Sequence, residues 1–258
     1  MFGAVIGDIA GSEYEFRACK NPEVDLFPAG CDFTDDSVLT VATCEVLLRG
    51  GAYAETYQRY GRRYASPKGA YGMRFSSWIW EDNPKPYNSW GNGSAMRVTP
   101  VGLAFDTVER VLDEAQRSAE VSHNHPEGIK GAQAAALAVF LARMGTTKEE
   151  IRAELSDRFG YNLERTVQDI RPSYSFNESC QGTVPEAIVA FLDSADYEST
   201  LRNAISLGGD SDTLACIAGG IAHAFYRSIP AGFEIRAQQL LPPHLYEVLE
   251  EFHQRYPL

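Results

Sequence analysis

The chain is poor in the features that would hold a secreted or membrane-bound scaffold together. Its five cysteines, Cys19, Cys31, Cys44, Cys180 and Cys216, are odd in number, and none stands in a CxxC pair. That disfavours a disulfide framework and a structural zinc site and fits a reducing compartment. No apolar run approaches the roughly 20 residues needed to cross a bilayer. The opening MFGAVIGDIAGSEYEF has no basic residue ahead of its apolar stretch, and Asp8 interrupts that stretch early. A signal peptide is therefore not expected, and the reading is a cytoplasmic protein with no membrane partner. Positive charge is also scarce: 23 Lys and Arg face 35 Asp and Glu, for a formal net charge of −12, and no basic cluster stands out. Extended binding to nucleic acid needs such clusters and is not expected. A small anionic ligand stays open, because a local site can oppose the global sign, and carboxylates gathered in one place would attract divalent cations.

Convincing alternating strands are absent as well; helical signals dominate. A Thr/Asp start opens 34–49, where Val38, Leu39, Val41, Ala42, Val46 and Leu47 recur at helical spacing. Segment 53–65 places Tyr53, Tyr57, Tyr60 and Tyr64 on one side. Further helices are predicted over 106–123, over 128–145 with Gly145 as a cap, and over 147–160 with a Thr147/Glu150 capping box. The set is completed by 184–194, 196–208, 211–227 and 242–256. Between them, 66–100 reads as a long loop; its three tryptophans argue against disorder. With 258 residues, no linker, no shift in composition and no repeat, the chain is predicted to be one all-α domain over 1–258, a compact helical bundle.

Two acidic stretches stand out. Thr34-Asp35-Asp36 opens one helix, and Asp210-Ser211-Asp212-Thr213 opens another behind Gly208-Gly209. Each satisfies the description of an ordinary N-cap, in which oxygens accept free N–H groups and acids oppose the helix dipole. The second leads into LACIAGGIAHA, a helix with few bulky side chains that neighbouring backbones can approach closely. Acids at the mouth of such a helix would be desolvated, and must then be protonated, paired or bound to a cation. Aspartates and threonine hydroxyls form an all-oxygen set, which selects hard cations such as Mg²⁺, Mn²⁺ or Ca²⁺. Such a set could bridge two ions about 3.5–4 Å apart. Asp8, between Gly7 and Gly11, is read as a buried structural acid, and Glu13 and Glu15 lie beyond the expected end of the first helix. The small residues of 90–102 could bring backbone amides to an anion, with Arg97 adjacent, but they form neither a P-loop nor a dinucleotide fingerprint. His123 and His125 lack the spacing of a zinc site.

Taken in order, GDIAGSEYE at 7–15, FTDDSVLT at 33–40, GNGSAMR at 91–97, SHNHPEGIKGA at 122–132 and GGDSDTLACIAGGIAHA at 208–224 resemble the ADP-ribosylglycohydrolase family, which includes the dinitrogenase-reductase-activating glycohydrolases. The resemblance runs from residue 3 to about 227. It implies a compact, orthogonal all-α bundle holding two Mg²⁺ or Mn²⁺ ions, and cleavage of the glycosidic bond between ADP-ribose and an acceptor. On this chain the implied metal ligands are Thr34, Asp35, Asp36, Asp210, Asp212 and Thr213. Glu15 matches a glutamate that in some members sits on a mobile flap over the metals; with Asp35 and Asp36 it completes the implied catalytic set. Asn92, Gly93, Ser94 and Met96 match the loop that wraps the diphosphate and distal ribose, and His123 the segment approaching the same pocket. The implied partners are an ADP-ribosylated protein or other ADP-ribosylated acceptor, with ADP-ribose as product. Two departures leave the acceptor open: the aromatic-rich 66–90 loop has no confident counterpart, and His223 stands where a small residue is common. Two other functions suit the same residues, a dinuclear-metal phosphoesterase or pyrophosphatase and a non-catalytic ADP-ribose binder.

Overall fold

The computed structural model describes residues 1–258 and contains 14 α-helices, one short 3₁₀ turn and no β-strand, only two isolated bridges. The helices are α1 (Phe2–Gly11), α2 (Asp35–Arg49), α3 (Tyr53–Arg63), α4 (Met73–Trp78), α5 (Thr99–Ala104), α6 (Val108–Glu120) and α7 (Pro126–Arg143). They continue with α8 (Lys148–Phe159), α9 (Val167–Ile170), α10 (Cys180–Leu192), α11 (Tyr197–Ile205), α12 (Ser211–Tyr226), α13 (Ala231–Leu240) and α14 (Pro243–Arg255).

The centre is α12, in which only Phe225 and Tyr226 escape burial. It is packed by α1, α5, α7, α10, α11 and α2. Its closest neighbour is α1, which runs antiparallel to it: Gly3 faces Gly219, Gly7 faces Ala215 and Gly11 faces Ser211. The approach is backbone to backbone. A β-carbon on Gly7 would stand 2.0 Å from the Ala215 carbonyl oxygen, and one on Gly11 2.3 Å from that of Ser211. The expectation that small residues here admit a neighbouring backbone is thus met, and the contact lays the end of α1 beside the start of α12.

The remaining elements follow from local chemistry. On α3 the tyrosine stripe turns inward: Tyr53, Tyr57 and Tyr60 are buried, and Tyr57 meets Thr43 of α2 through its hydroxyl at 2.9 Å. Thr147 and Glu150 form the predicted capping box of α8. Gly145, at φ +79°, follows the end of α7.

The sequence reading departs from the structure in a few places. Helix α10 starts at Cys180, not 184: Ser179 is the real cap, accepting from the Gly182 amide, and Pro185 sits inside the helix. Proline there leaves the Gln181 carbonyl without its usual donor. Segment 66–100 is not all loop, since it contains α4, the 3₁₀ turn Asn92–Ser94 and the start of α5. Trp78 is buried there, its indole donating to the Lys85 carbonyl at 3.0 Å. Helices α4, α5 and α9 are too short to show a period, and α13 buries only Ala237, so none has an apolar stripe to detect. No helix is long and apolar enough to cross a membrane.

Replacing Gly7 by Ala tests the α1–α12 contact. Alanine in a helix interior gains about 0.5–1 kcal/mol over glycine, whereas overpacking costs about 1–3 kcal/mol or more. The clash is with backbone and cannot be relieved by rotating a side chain, so a net loss is expected. It would be read as a lower urea midpoint; an unchanged or higher midpoint would mean the helices are not held this close.

Candidate metal centre and its cleft

Three helix ends meet at one site: the C-terminus of α1 and the N-termini of α2 and α12. Asp8, on α1 and fully buried, is what joins the first two. Its carboxylate accepts from the Thr34 amide at 3.0 Å, the Thr34 hydroxyl at 2.6 Å and the Ser37 amide at 3.1 Å, and also from the Ser37 hydroxyl. It therefore caps a helix that starts 26 residues later in the chain. Burial pushes Asp8 up to about 6, with these four bonds pulling the other way. This is the buried structural acid expected from the sequence.

Thr34 is the N-cap of α2. Its hydroxyl donates to Asp8 and accepts from the Asp36 amide at 3.1 Å, and the residue does not line the cleft. Asp35 does line it and is partly exposed there. Asp36 is buried; one oxygen accepts from the Thr213 hydroxyl at 3.3 Å, while Oδ2 has no partner. From the other helix, Asp210 accepts from the Asn92 side-chain amide at 2.6 Å, and Asp212 is buried with Oδ1 unpartnered. Glu15 comes in from the turn after α1, with its Oε2 buried and unpartnered. Ligand oxygens of Glu15, Asp210 and Asp212 lie within 4.8 Å of one another.

The electrostatics follow from this crowding. Burial first, then Asp212, raises Asp35 and Asp36 well above the ordinary carboxylate range; burial first, then Asp210, does the same to Asp212. Burial pushes Glu15 up to about 8, assisted by Asp212 and Asp8, and Asp210 up to about 6. Buried acids with unmatched oxygens and no ammonium or guanidinium bonded to them suit a divalent cation, and the donor set is entirely oxygen, as Mg²⁺, Mn²⁺ and Ca²⁺ prefer. The residues present therefore fit a bound metal.

These carboxylates floor a cleft of about 440 Å³. Trp90, Gly91, Asn92, Gly93, Met96, Arg97 and His123 form one part of its wall, and 69–75 another. His123 is buried, its Nδ1 2.8 Å from the Ser122 hydroxyl, and burial followed by Arg97 holds it well below its ordinary value, hence neutral. Gly93 presents bare backbone to the cleft, and a β-carbon there would press on His123 Nε2 at 3.2 Å. Ser94 is turned away: its hydroxyl donates to the Gly128 carbonyl at 2.7 Å and the residue does not line the cleft. The amides of Asn92, Ala95 and Met96 are already bonded, to the carbonyls of Glu178, Asn92 and Asn92 respectively. Less of this turn is left to meet a phosphate than its glycine-rich sequence suggests. The wall at 69–75, together with Phe16, Tyr87 and Phe176, was not singled out as cleft-lining by sequence; the aromatic content of the 66–90 segment was the only signal.

Comparison with known proteins places this arrangement. The profile of the ADP-ribosylglycohydrolase family matches residues 1–257. The chain is similar to ADP-ribosylhydrolase ARH3 of Homo sapiens, 28% identical over 308 aligned residues covering 88% of this chain and 84% of that one. It is also similar to ADP-ribosylarginine hydrolase Tri1 of Pseudomonas putida, 23% identical over all of this chain and 77% of that one. Among solved structures, an ADP-ribosylglycohydrolase-related protein complex superposes with a TM-score of 0.74 at 25% identity, covering 98% of this chain and 95% of that one.

The raised carboxyls predict a pH dependence of the metal-free protein. Glu15 rises from an ordinary 4.5 to about 8, so between these values the folded state holds a proton that the unfolded state releases. Stability then falls as pH rises through that window. In urea titrations with chelator between about pH 6.5 and 8, wild type should lose stability relative to Glu15→Gln. The buried histidines titrate in the opposite sense but are common to both proteins. Parallel curves would show that Glu15 is not held among the other acids.

Proposed function

The chain belongs to the ADP-ribosylglycohydrolase family, and from that premise we propose that it is a metal-dependent hydrolase cleaving the glycosidic bond between ADP-ribose and an acceptor. The observation that carries this reading is the convergence of Glu15, Asp35, Asp36, Asp210 and Asp212, with three buried carboxylate oxygens that nothing in the chain satisfies. Asp35, Asp36, Asp210, Asp212 and Thr213 would hold two Mg²⁺ or Mn²⁺ ions, with Thr34 setting the start of α2 beside them. Bound there, such ions supply Lewis acidity, holding the ribose hydroxyls and lowering the pKa of a water near the anomeric carbon.

The protein's own contribution is placement. Asn92 donates to Asp210 and so fixes which carboxylate oxygen remains free for a cation. Neutral His123 keeps its Nε2 beside Gly91 and Gly93, where it can hydrogen-bond the sugar or diphosphate without adding charge. Gly93 lets the substrate backbone come within contact of the turn, and Met96 gives an apolar floor. Bond breaking builds oxocarbenium character at the distal ribose, which the surrounding carboxylates stabilise. Glu15, at the edge of the acid cluster, is the group to take a proton from water or return one to the leaving group.

The acceptor is a protein side chain, a nucleic acid or a small molecule. The test is product release from arginine-linked, serine-linked and nucleic-acid-linked ADP-ribose, run with Mg²⁺, with Mn²⁺ and with EDTA, and read by mass. Intact ADP-ribose, lost with EDTA, is the expected product; AMP would indicate phosphoester cleavage instead. Tight ADP-ribose binding with no release from any acceptor would indicate a binder. Asp35→Ala and Asp212→Ala should each cost at least about 100-fold in turnover, since loss of a ligand exceeds loss of a group merely supporting one. Full activity in either variant would remove the metal centre from the mechanism.

A further inference from the structure

The turn that carries Glu15 is gripped from outside the cleft. Lys68 donates from its ammonium to Glu13 Oε2 at 2.8 Å and to the Gly30 carbonyl at 2.9 Å. Its backbone pairs with Thr34 in an isolated parallel bridge, which lays the 67–70 turn alongside the cap of α2. The next residue, Gly69, faces Glu15 itself. A β-carbon on Gly69 would stand 2.3 Å from Glu15 Oε2, and its φ of +76° lies in the left-handed region that favours glycine. Ala70 continues the turn at φ +66°, a conformation uncommon for a residue with a side chain. The 13–16 segment has other holds: Tyr14 donates to the Asp25 carbonyl at 2.8 Å, and Phe16 stacks on Phe176 with ring centroids 5.9 Å apart. Phe16 is 74% exposed, so that stack lies open to water at the cleft mouth. Neither of these contacts touches the Glu15 carboxylate; the 67–70 turn does.

We propose that Lys68 and Gly69 are the positioning residues of Glu15. The ammonium anchors the chain two residues before it, through Glu13, and the bare backbone of Gly69 leaves space for its carboxylate beside Asp210 and Asp212. A side chain at 69 would drive Glu15 out of the cluster, and loss of the Lys68 contacts would free the turn that presents it. The 66–90 segment, which the family motifs do not cover, thereby acts on the chemistry without supplying a reacting group. The inference rests on the reading of the carboxylates as a metal centre.

The test measures Mn²⁺ affinity, from the electron paramagnetic resonance signal of the free ion, alongside kcat, KM and the melting temperature. Lys68→Met and Glu13→Gln should each weaken Mn²⁺ binding about tenfold, as loss of a group supporting a ligand does. They should lower kcat by more than they move KM, because neither Lys68 nor Glu13 lines the cleft. Lys68→Arg should restore both quantities, and Gly69→Ala should reproduce the loss with the ion pair intact. If Lys68→Met fails to fold, Glu13→Gln decides, since Glu13 is partly exposed and outside the core. Wild-type Mn²⁺ affinity and kcat in Lys68→Met or in a folded Glu13→Gln would overturn the proposal. Absence of Mn²⁺ binding in wild type would overturn the metal centre itself, and this inference with it.

Discussion

The cleft depends on how closely two backbones approach. Helices α1 and α12 lie against each other through glycines, and nothing larger fits at Gly7 or Gly11. That contact sets the last turn of α1 beside the first turn of α12. Asp8, one turn before the end of α1, then reaches across to cap α2. A single helix thus registers two helix N-termini, and the acids at those N-termini share one space because of it. Widening the contact by a methyl group would shift Asp8 and both acidic mouths together.

Charge is the second constraint. A helix N-terminus stabilises a nearby acid by about 0.3–1 kcal/mol in ordinary settings. Removing an ion from water costs several kcal/mol after relaxation. Two helix dipoles therefore cannot hold Asp36, Asp210, Asp212 and their neighbours ionised in a buried cluster. Protonation or a cation must make up the difference, and the unpartnered oxygens of Glu15, Asp36 and Asp212 all belong to this one cluster. The hydrogen bonds in the surroundings are directed to the same end. Asn92 satisfies Asp210, Thr213 satisfies one oxygen of Asp36, and the others are left free. Neutral His123 and the bare edge of Gly93 add no charge to the cleft, and Arg74 and Arg97 are the cations among its lining residues, as suits a substrate carrying its own negative charge.

Much of this was legible in the chain. Thr34, Thr147 and Glu150 do what cap residues do, because capping is a matter of three or four consecutive residues. The tyrosines of α3 turn inward for the same local reason, the 3.6-residue period. Other residues were misread where a local pattern has two outlets. Ser94 sits in a turn of small residues that looks built for an anion, yet its hydroxyl is spent on the Gly128 carbonyl. The helix expected from 184 begins at Cys180, because Ser179 caps it and Pro185 sits inside it. Glu13, placed only as lying beyond the end of the first helix, is tied to Lys68, a partner 55 residues away.

By itself the sequence determined the helical class, the caps, the two acidic mouths and the family to which their motifs belong. These depend on short spacings, and short spacings survive without a fold. Which acids share a site, which oxygens are left unsatisfied, and that the 69–75 wall faces Glu15 were decided only by tertiary structure. The reason is that burial and carboxylate repulsion act through space, between α1, α2, α12 and the 67–70 turn, whose relative positions are fixed by glycine contacts and by Asp8 rather than by anything near them in the chain.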